Sequence, residues 1–212
     1  MALADIRKEY AKARLDEQSV DPNPLVQFQR WMDEALAAQL PEPTAMNLAT
    51  VTADGRPSAR TVLLKGIEQN RFQFYTNYHS QKGVELENNP ACALTFFWPE
   101  LERQVRIEGV AQRLETATSE AYFQSRPRGS QIGAWASPQS AVISHRDLLE
   151  KRVAEVEKRF AGLDRLPKPQ QWGGYGITPH EIEFWQGRPS RLHDRLVYYW
   201  VDNEWKIQRL AP

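Results

Sequence analysis

Cationic side chains stand at both ends of one short segment, RTVLLK, which begins at Arg60 and ends at Lys65. The Thr, Val and Leu residues between them predict a strand. Side chains alternate between the two faces of a strand, so residues five positions apart point in opposite directions. We therefore expect these two cations to serve different anionic groups, the alternative being an ordinary strand with solvated ends.

A second segment combines donors that suit a phosphate group. Residues 122–131 read YFQSRPRGSQ and include Tyr122, Arg126 and Ser130. The planar guanidinium of arginine can donate two parallel hydrogen bonds to phosphate, and hydroxyl groups add further donors. The segment predicts a small-anion site, the alternative being a solvated loop. The crowding of arginines in the middle of the chain favours a small anion too; they stand at positions 103, 106, 113, 126, 128 and 146.

Amide, hydroxyl and aromatic side chains elsewhere suit a flat ligand. Gln104, Gln139 and Ser140 carry uncharged polar groups that can match the carbonyl and N–H pattern of a heterocycle. Trp185 precedes the segment RLHDR at 191–195. Strand alternation would place the first, third and fifth residues of that segment on one face and concentrate their cationic donors there. A surface cluster of salt bridges is the alternative.

The overall composition narrows the class of protein. Basic and acidic residues both number 27, which gives a net charge of zero and disfavours a nucleic-acid binder. The single cysteine, Cys92, excludes an internal disulfide and a cysteine-based zinc site, and the histidines lack metal-ligand spacing. We expect no bound metal. Glycine-rich nucleotide motifs and a GxSxG nucleophile motif are also absent from the sequence.

Hydrophobic patterning predicts a protein of the cytoplasm. The first residues are charged and lack the apolar stretch of a secretory signal. The longest strongly apolar run, residues 91–98, is far too short to cross a bilayer. We expect no membrane partner and read residues 1–20 as an N-terminal arm or lid, followed by a single domain at 21–212.

The order of predicted elements indicates a mainly β fold with flanking helices. Periodic apolar residues predict a helix from about residue 24 to 39, and short turns separate the strands that follow. The strands are predicted at 46–51, 60–65, 72–76, 91–98, 103–114, 181–186, 196–201 and 205–210, and further helices at 81–88, 116–125 and 144–160. We expect residues 125–140 to be an irregular loop and the glycine-rich residues 173–176 to be a turn. Short connections predict antiparallel pairing in a closed barrel.

At these segments the sequence resembles the pyridoxamine 5′-phosphate oxidase family, from about residue 7 to residue 212. The motifs that carry the resemblance are RTVLLK, FYTN, ENNP, LERQVRIEG, SRPRGSQIGAWAS, EFWQG, RLHDR and WKIQRLAP. The resemblance implies an antiparallel split β-barrel of the FMN-binding type, assembled as a homodimer with FMN at the subunit interface. It implies oxidation of pyridoxamine 5′-phosphate and pyridoxine 5′-phosphate to pyridoxal 5′-phosphate. Oxygen would accept the electrons and yield hydrogen peroxide, and the amine substrate would release ammonia.

The resemblance also assigns residues to the expected ligands. For FMN it implies Arg60, Thr61, Val62, Leu63, Leu64, Lys65, Tyr75, Thr76, Gln81, Lys82, Gln104, Gln139, Ser140, Trp185 and Arg195. For the substrate it implies Arg7, Lys8, Glu9, Tyr10, Lys65, Tyr122, Arg126, Ser130, Arg191 and His193. Arg191 and His193 would lie against the substrate ring as the catalytic pair, and residues 7–10 would close over it.

One position departs from the family pattern. Gln81 stands before Lys82 where the family often has a second cation, so we expect weaker retention of FMN. Two other functions stay open. One is a different FMN split-barrel oxidoreductase, including one that draws on NAD(P)H, and the other is a non-catalytic protein that binds a flavin or a B6 phosphate.

Overall fold

Antiparallel hairpins build one continuous sheet in this computed structural model, which describes residues 3–5 and 9–212. The strands are β1 (Ala45–Val51), β2 (Pro57–Leu63), β3 (Gly66–Glu68), β4 (Arg71–Asn77), β5 (Ala91–Trp98), β6 (Arg103–Arg113), β7 (Trp172–Gln186), β8 (Asp194–Val201) and β9 (Glu204–Arg209). Their order is β2-β1-β5-β6-β7-β4-β3, with β8 added to the second half of β7 and β9 added to β8. The predicted mainly β, antiparallel split barrel is confirmed.

Five α-helices of the described residues flank the sheet. They are α1 (Pro24–Ala37), α2 (Gln81–Asn88), α3 (Thr116–Ser125), α4 (Arg128–Ala136) and α5 (Asp147–Arg159). Helix α1 begins where the Asn23 side chain accepts a hydrogen bond from the Leu25 backbone N–H, with Pro24 at the first helical position. An N-cap acceptor and a proline with preset φ both favour a helix start here. None of the helices in the described ranges is long and apolar enough to span a membrane.

The apolar face of α1 closes the main core inside the barrel. Phe28 is fully buried, and its ring centroid lies 5.0 Å from those of Phe72 and Phe96. A second, smaller core lies beneath α3, α4 and α5 and includes Phe123, Phe160 and Trp172. Since Trp172 opens β7, this second core joins the helices to the sheet at one end of the barrel.

The prediction of an irregular loop at residues 125–140 is wrong, because α4 occupies its middle. Ile132 and Ala136 are buried on that helix, and Pro127 stands at its N-cap. Gly129 and Gly133 weaken the local preference for a helix. Burial of the apolar side chains against the second core outweighs that preference, as tertiary packing commonly does for short helices.

The prediction of a turn at residues 173–176 is also wrong, because these glycines lie within β7. A Cβ atom at Gly173 would stand 2.0 Å from the Tyr78 hydroxyl, and one at Gly174 would stand 2.8 Å from the Tyr75 ring. Glycine in a strand interior often marks such a close approach. Here the missing side chains make room for tyrosine rings.

The crowded arginines do not form one anion site. Most of them have carboxylate partners on their own or on a neighbouring element: Arg103 with Glu34, Arg106 with Glu108 and Glu183, Arg113 with Glu87, and Arg146 with Glu150. Arg128 donates to the Leu163 and Phe160 carbonyls. These arginines are close together in the sequence, but in the fold each one binds its own partner, so they do not form one group. Only Arg126 of this set lines the cavity described below.

Replacement of Phe28 by Ala tests the role of α1 as the cover of the main core. We expect Phe28→Ala to lower the free energy of unfolding by about 3–5 kcal/mol, because a fully buried ring leaves a cavity. Val26→Ala, on the same helix at 42% exposure, should change it by less than about 0.5 kcal/mol. Chemical denaturation monitored by circular dichroism measures both values, and equal losses would contradict this account of the core.

Candidate functional site

Four cations line one cavity of about 690 Å³ between the barrel and helices α3 and α4. They are Arg60 on β2, Lys65 just after it, Lys82 on α2 and Arg126 after α3. The prediction that Arg60 and Lys65 face opposite sides is wrong. Strand β2 ends at Leu63, so alternation no longer applies at Lys65 and both cations reach the same cavity.

Arg60 is held at one end of the cavity by a buried carboxylate, Glu85. One Glu85 oxygen lies 3.1 Å from the Arg60 guanidinium, and the carboxylate also accepts hydrogen bonds from Thr50, Ser58 and Gln81. Burial alone would raise the pKa of Glu85, but these donors outweigh it and lower the pKa to about 2. Glu85 is therefore a fixed anion at neutral pH. Sequence reasoning missed Glu85, although it lies four residues after Gln81 on a predicted helix, a spacing at which the two side chains can meet.

Lys82 stands near Arg60 as a nearly buried ammonium group. Its Nζ atom makes two long hydrogen bonds, of 3.4 Å to Thr76 and 3.5 Å to Ser80, and the described residues place no carboxylate within 4.0 Å of it. Burial and then the charge of Arg60 lower the pKa of Lys82. A buried cation so weakly paired favours the arrival of an anionic ligand.

The other end of the cavity holds Arg126 against aromatic rings instead of a carboxylate. Its guanidinium carbon lies 4.7 Å from the centroid of the Trp172 ring, and its buried Nη1 atom has no hydrogen-bond partner. Tyr75 and Tyr122 stack at 3.8 Å beside Trp172, and Lys65 and Ser130 also line the cavity. A buried donor without an acceptor is costly, so this end also suits an anion. Trp172 is a second residue that sequence reasoning missed.

The remaining residues predicted to bind the cofactor divide into those that reach the cavity and those that do not. Thr61, Val62, Leu63, Tyr75, Thr76 and Gln139 line it. The Gln139 side chain accepts from the Thr76 hydroxyl at 3.1 Å. Leu64 is buried in the main core, and Gln81 donates to Glu85 while its backbone N–H donates to Ser140. Gln81 and Ser140 line a neighbouring cavity of about 700 Å³.

A separate cluster forms around Trp185 at the far end of β7. The His193 ring centroid lies 4.6 Å from that of Trp185, and the Tyr10 ring packs edge-on against Trp185 at 5.7 Å. Nδ1 of His193 accepts a hydrogen bond from the Arg188 backbone N–H, so the proton of the neutral ring lies on Nε2. Burial and the charge of Arg191 lower the pKa of His193, which favours the neutral form.

The prediction that Arg191, His193 and Arg195 share one face is wrong. Arg191 closes a short 3₁₀ turn with φ of 61°, and the strand begins only at Asp194. Arg191 is exposed, whereas Arg195 makes two hydrogen bonds with Glu183, of 2.7 and 3.1 Å.

Gln104 pairs with Trp185 across the sheet. Glu9 is exposed, and Arg7 and Lys8 lie outside the described residues.

The two groups of predicted site residues are far apart within one chain. Tyr75 pairs with Gly174 near the start of β7, whereas Trp185 lies near its end. The eleven steps from residue 174 to residue 185 span about 36 Å of strand at about 3.3 Å per residue. Residues 104, 185, 193 and 195 do not line the cavity of their own chain. Among the described residues, no cluster of three or more histidine, cysteine or carboxylate side chains is arranged to hold a metal.

Barrel and cavity define a split-barrel protein with a built site for phosphorylated ligands. Comparison with known families matches residues 32–160 to "Pyridoxamine 5′-phosphate oxidase" and residues 172–212 to "Pyridoxine 5′-phosphate oxidase C-terminal dimerisation region". The chain belongs to the pyridoxamine 5′-phosphate oxidase family of oxidoreductases. The match to the dimerisation region supports a homodimer.

Individual relatives cover nearly the whole chain. The pyridoxine/pyridoxamine 5′-phosphate oxidase of Acaryochloris marina is 54% identical over 211 residues, which is 100% of this chain and 96% of the relative. That of Burkholderia thailandensis is 57% identical over 213 residues, with 99% of each chain covered. Among solved structures, PhzG from Burkholderia lata 383 in complex with tetrahydrophenazine-1-carboxylic acid has a TM-score of 0.86 at 33% identity, covering 92% of this chain and 95% of its own.

The Glu85 network makes a prediction about stability and pH. We expect Glu85→Gln to lower the free energy of unfolding by about 1–3 kcal/mol at pH 7, because several buried donors lose a charged acceptor. The pKa of Glu85 is lowered from 4.5 to about 2 in the folded protein, so its stabilising effect is present above pH 4.5 and lost as the pH falls toward 2. Urea denaturation across this range should show the difference between wild type and variant shrinking with acidity. A difference that grows on acidification would contradict the assignment.

Proposed function

We propose that the chain oxidises pyridoxamine 5′-phosphate and pyridoxine 5′-phosphate to pyridoxal 5′-phosphate. Oxygen is the electron acceptor, hydrogen peroxide is the by-product, and the amine substrate releases ammonia. The observation that carries the proposal is the pairing of cations in one cavity. Arg60, Lys65, Lys82 and Arg126 line the same cavity, and four cations suit two phosphorylated ligands held side by side. Lys82 lies close to Arg60, whereas Arg126 packs on Trp172.

FMN is the cofactor, and the residues at the Glu85 end fit it. The weakly paired Lys82 ammonium, the Arg60 guanidinium and the hydroxyl of Thr76 offer the donors that its phosphate needs. When bound, FMN supplies the acceptor for the hydride equivalent that leaves the substrate carbon, which no side chain can take up. The Gln81 side chain is already committed to Glu85, which supports the expectation of weaker FMN retention.

The aromatic end of the cavity fits the substrate phosphate. Such a group carries about −1.5 to −2 charges near neutral pH. Arg126 and Lys65 would neutralise it, with Tyr122 and Ser130 adding hydroxyl donors. Because Arg126 packs on Trp172 instead of pairing with a carboxylate, its charge is fully available to the ligand. Anchoring the phosphate there would fix how far the substrate ring reaches toward the flavin.

The Trp185 cluster of the second subunit would complete the site. We place FMN at the subunit interface, with Gln104, Trp185 and Arg195 approaching from the other chain. The neutral His193 ring can donate from Nε2, and the exposed Arg191 guanidinium carries a charge that no described salt bridge neutralises. These two side chains would orient the reactive carbon and its leaving proton. Residues 1–20 would serve as an arm over this site and residues 21–212 as the enclosing domain in a cytoplasmic enzyme.

The main competing function is that of another split-barrel oxidoreductase. The PhzG structure belongs to a complex with a phenazine carboxylic acid, a ligand without a phosphate group. The cations Lys65 and Arg126 in the cavity favour a phosphorylated substrate instead. Identity of 54–57% to the B6 oxidases against 33% to PhzG favours the same assignment.

A direct assay tests the reaction. Purified protein loaded with FMN should convert pyridoxine 5′-phosphate in air to an aldehyde, with one hydrogen peroxide formed for each aldehyde. Arg191→Ala and His193→Ala should each lower turnover, since both side chains are assigned to the substrate ring. Binding of FMN and substrate with no aldehyde formed would identify a non-catalytic binding protein and refute the proposal.

Arg126→Gln tests the assignment of the substrate phosphate. We expect KM for pyridoxine 5′-phosphate to rise about 10- to 100-fold, because a charged hydrogen bond is lost. Arg159→Gln is the matched control: its guanidinium also packs on a tryptophan, Trp135, but outside the cavity. Steady-state kinetics with unphosphorylated pyridoxine should show no difference between Arg126→Gln and wild type. An equal effect on both substrates would place the phosphate elsewhere.

A further inference from the structure

A buried carboxylate stands where the turn between β5 and β6 meets the end of β7. Glu102 is only 3% exposed and has a φ of 56°, a left-handed conformation that is unusual for a residue with a side chain. Its backbone carbonyl accepts hydrogen bonds from the Gly187 N–H at 2.7 Å and from the Gln186 side chain at 3.1 Å. These bonds tie the turn to the end of β7. Strained residues that neighbouring contacts fix in this way often serve a function.

The Glu102 carboxylate binds the backbone of the N-terminal arm. One of its oxygens accepts hydrogen bonds from the Ala11 N–H at 2.9 Å and from the Lys12 N–H at 3.0 Å. The Lys12 ammonium donates to the Glu100 carbonyl in the same turn, at 2.6 Å. About ninety residues of sequence separate the arm from this turn, so the contact depends on the folded barrel. The side chains of Ala11 and Lys12 are exposed, so apolar packing does not hold this part of the arm.

The absence of a side chain at Gly187 leaves room for the neighbouring Tyr10 ring. A Cβ atom at Gly187 would stand 2.7 Å from Cγ of Tyr10 and 3.0 Å from Cβ of Glu102, closer than real contacts allow. With glycine there, the Tyr10 ring packs edge-on against Trp185 at 5.7 Å and against His193 at 5.9 Å. The carboxylate and the glycine gap thus act on the same stretch of the arm.

Other contacts, independent of Glu102, hold the arm farther along the chain. The Leu15 N–H donates to Asp194, Arg188 donates to the Ala13 carbonyl, and the Leu15 side chain is buried. These contacts fix residues 13–15 whether or not Glu102 is present. The position of residues 10–12 depends on the turn.

We propose that Glu102 is a positioning residue that fixes the arm through the Ala11 and Lys12 amides and so holds Tyr10 over Trp185 and His193. The inference rests on the proposed function, since it gives the arm a role at the substrate side of that site. Gly187 contributes to the same positioning, because it leaves room for the Tyr10 ring. The carboxylate touches neither substrate nor cofactor and acts only through Tyr10.

Variants of this turn test the proposal without relying on activity alone. Glu102→Ala removes the acceptor, so trypsin cleavage after Lys12 should become about tenfold faster, whereas cleavage after Arg14, within the independently held residues 13–15, should stay at the wild-type rate. KM for pyridoxine 5′-phosphate should rise by a similar factor, while the dissociation constant for FMN should change less than twofold. Glu102→Gln keeps one acceptor oxygen and should give an intermediate cleavage rate. Gly187→Ala should raise KM because its methyl group displaces the Tyr10 ring.

The control is Glu100→Ala, which removes a neighbouring exposed carboxylate but keeps the carbonyl that accepts from Lys12. It should match wild type in cleavage rate and in KM. Thermal unfolding of each variant with FMN bound identifies any that fails to fold, and Glu102→Gln then decides the outcome. Wild-type cleavage in both Glu102 variants would overturn the inference. Absence of aldehyde formation by the wild-type enzyme would overturn the proposed function. The cleavage rates of the Glu102 variants would still show whether Glu102 fixes the arm.

Discussion

Backbone pairing along β7 is the interaction on which the other features depend. This one strand of fifteen residues pairs with β6 over most of its length, with β4 at its start and with β8 at its end. Its first half carries glycines that make room for Tyr78 and for Tyr75, which lines the cavity. Its last residues include Trp185, and Gly187 just beyond the strand leaves room for Tyr10. This one strand therefore sets the distance between the cavity and the Trp185 cluster.

The cavity shows two ways of holding a cation ready for an anion. Arg60 has a carboxylate partner, which fixes the guanidinium but offsets part of its charge. Arg126 lies on an aromatic face, which holds it while leaving its charge uncompensated. Attraction between a cation and an aromatic ring is worth less than a buried ion pair, but it leaves hydrogen-bond donors free.

Local signals in the sequence predicted most of the strands and hairpins. Short turns separate the strands as expected, and those at Asp54-Gly55 and Asp202-Asn203 have positive φ at Gly55, Asp202 and Asn203. The family motifs also led to most of the residues that line the cavity. What failed depended on contacts distant in sequence: the tyrosines that explain the glycines of β7, and the core that makes α4 a helix. The contribution of Glu85, Glu102 and Trp172 could not be predicted either, because their partners lie on other elements.

The poorly compensated charges in the cavity link the amount of folded protein to the supply of its ligands. A ligand that binds only the folded state stabilises it by RT ln(1 + [L]/Kd), which is about 2.7 kcal/mol at a concentration one hundred times Kd. When flavin is scarce, a chain with a nearly buried and poorly paired Lys82 lacks this stabilisation by ligand. In a cell short of riboflavin, such molecules unfold more often and are exposed to proteases, so a nutrient deficiency would lower enzyme abundance as well as occupancy.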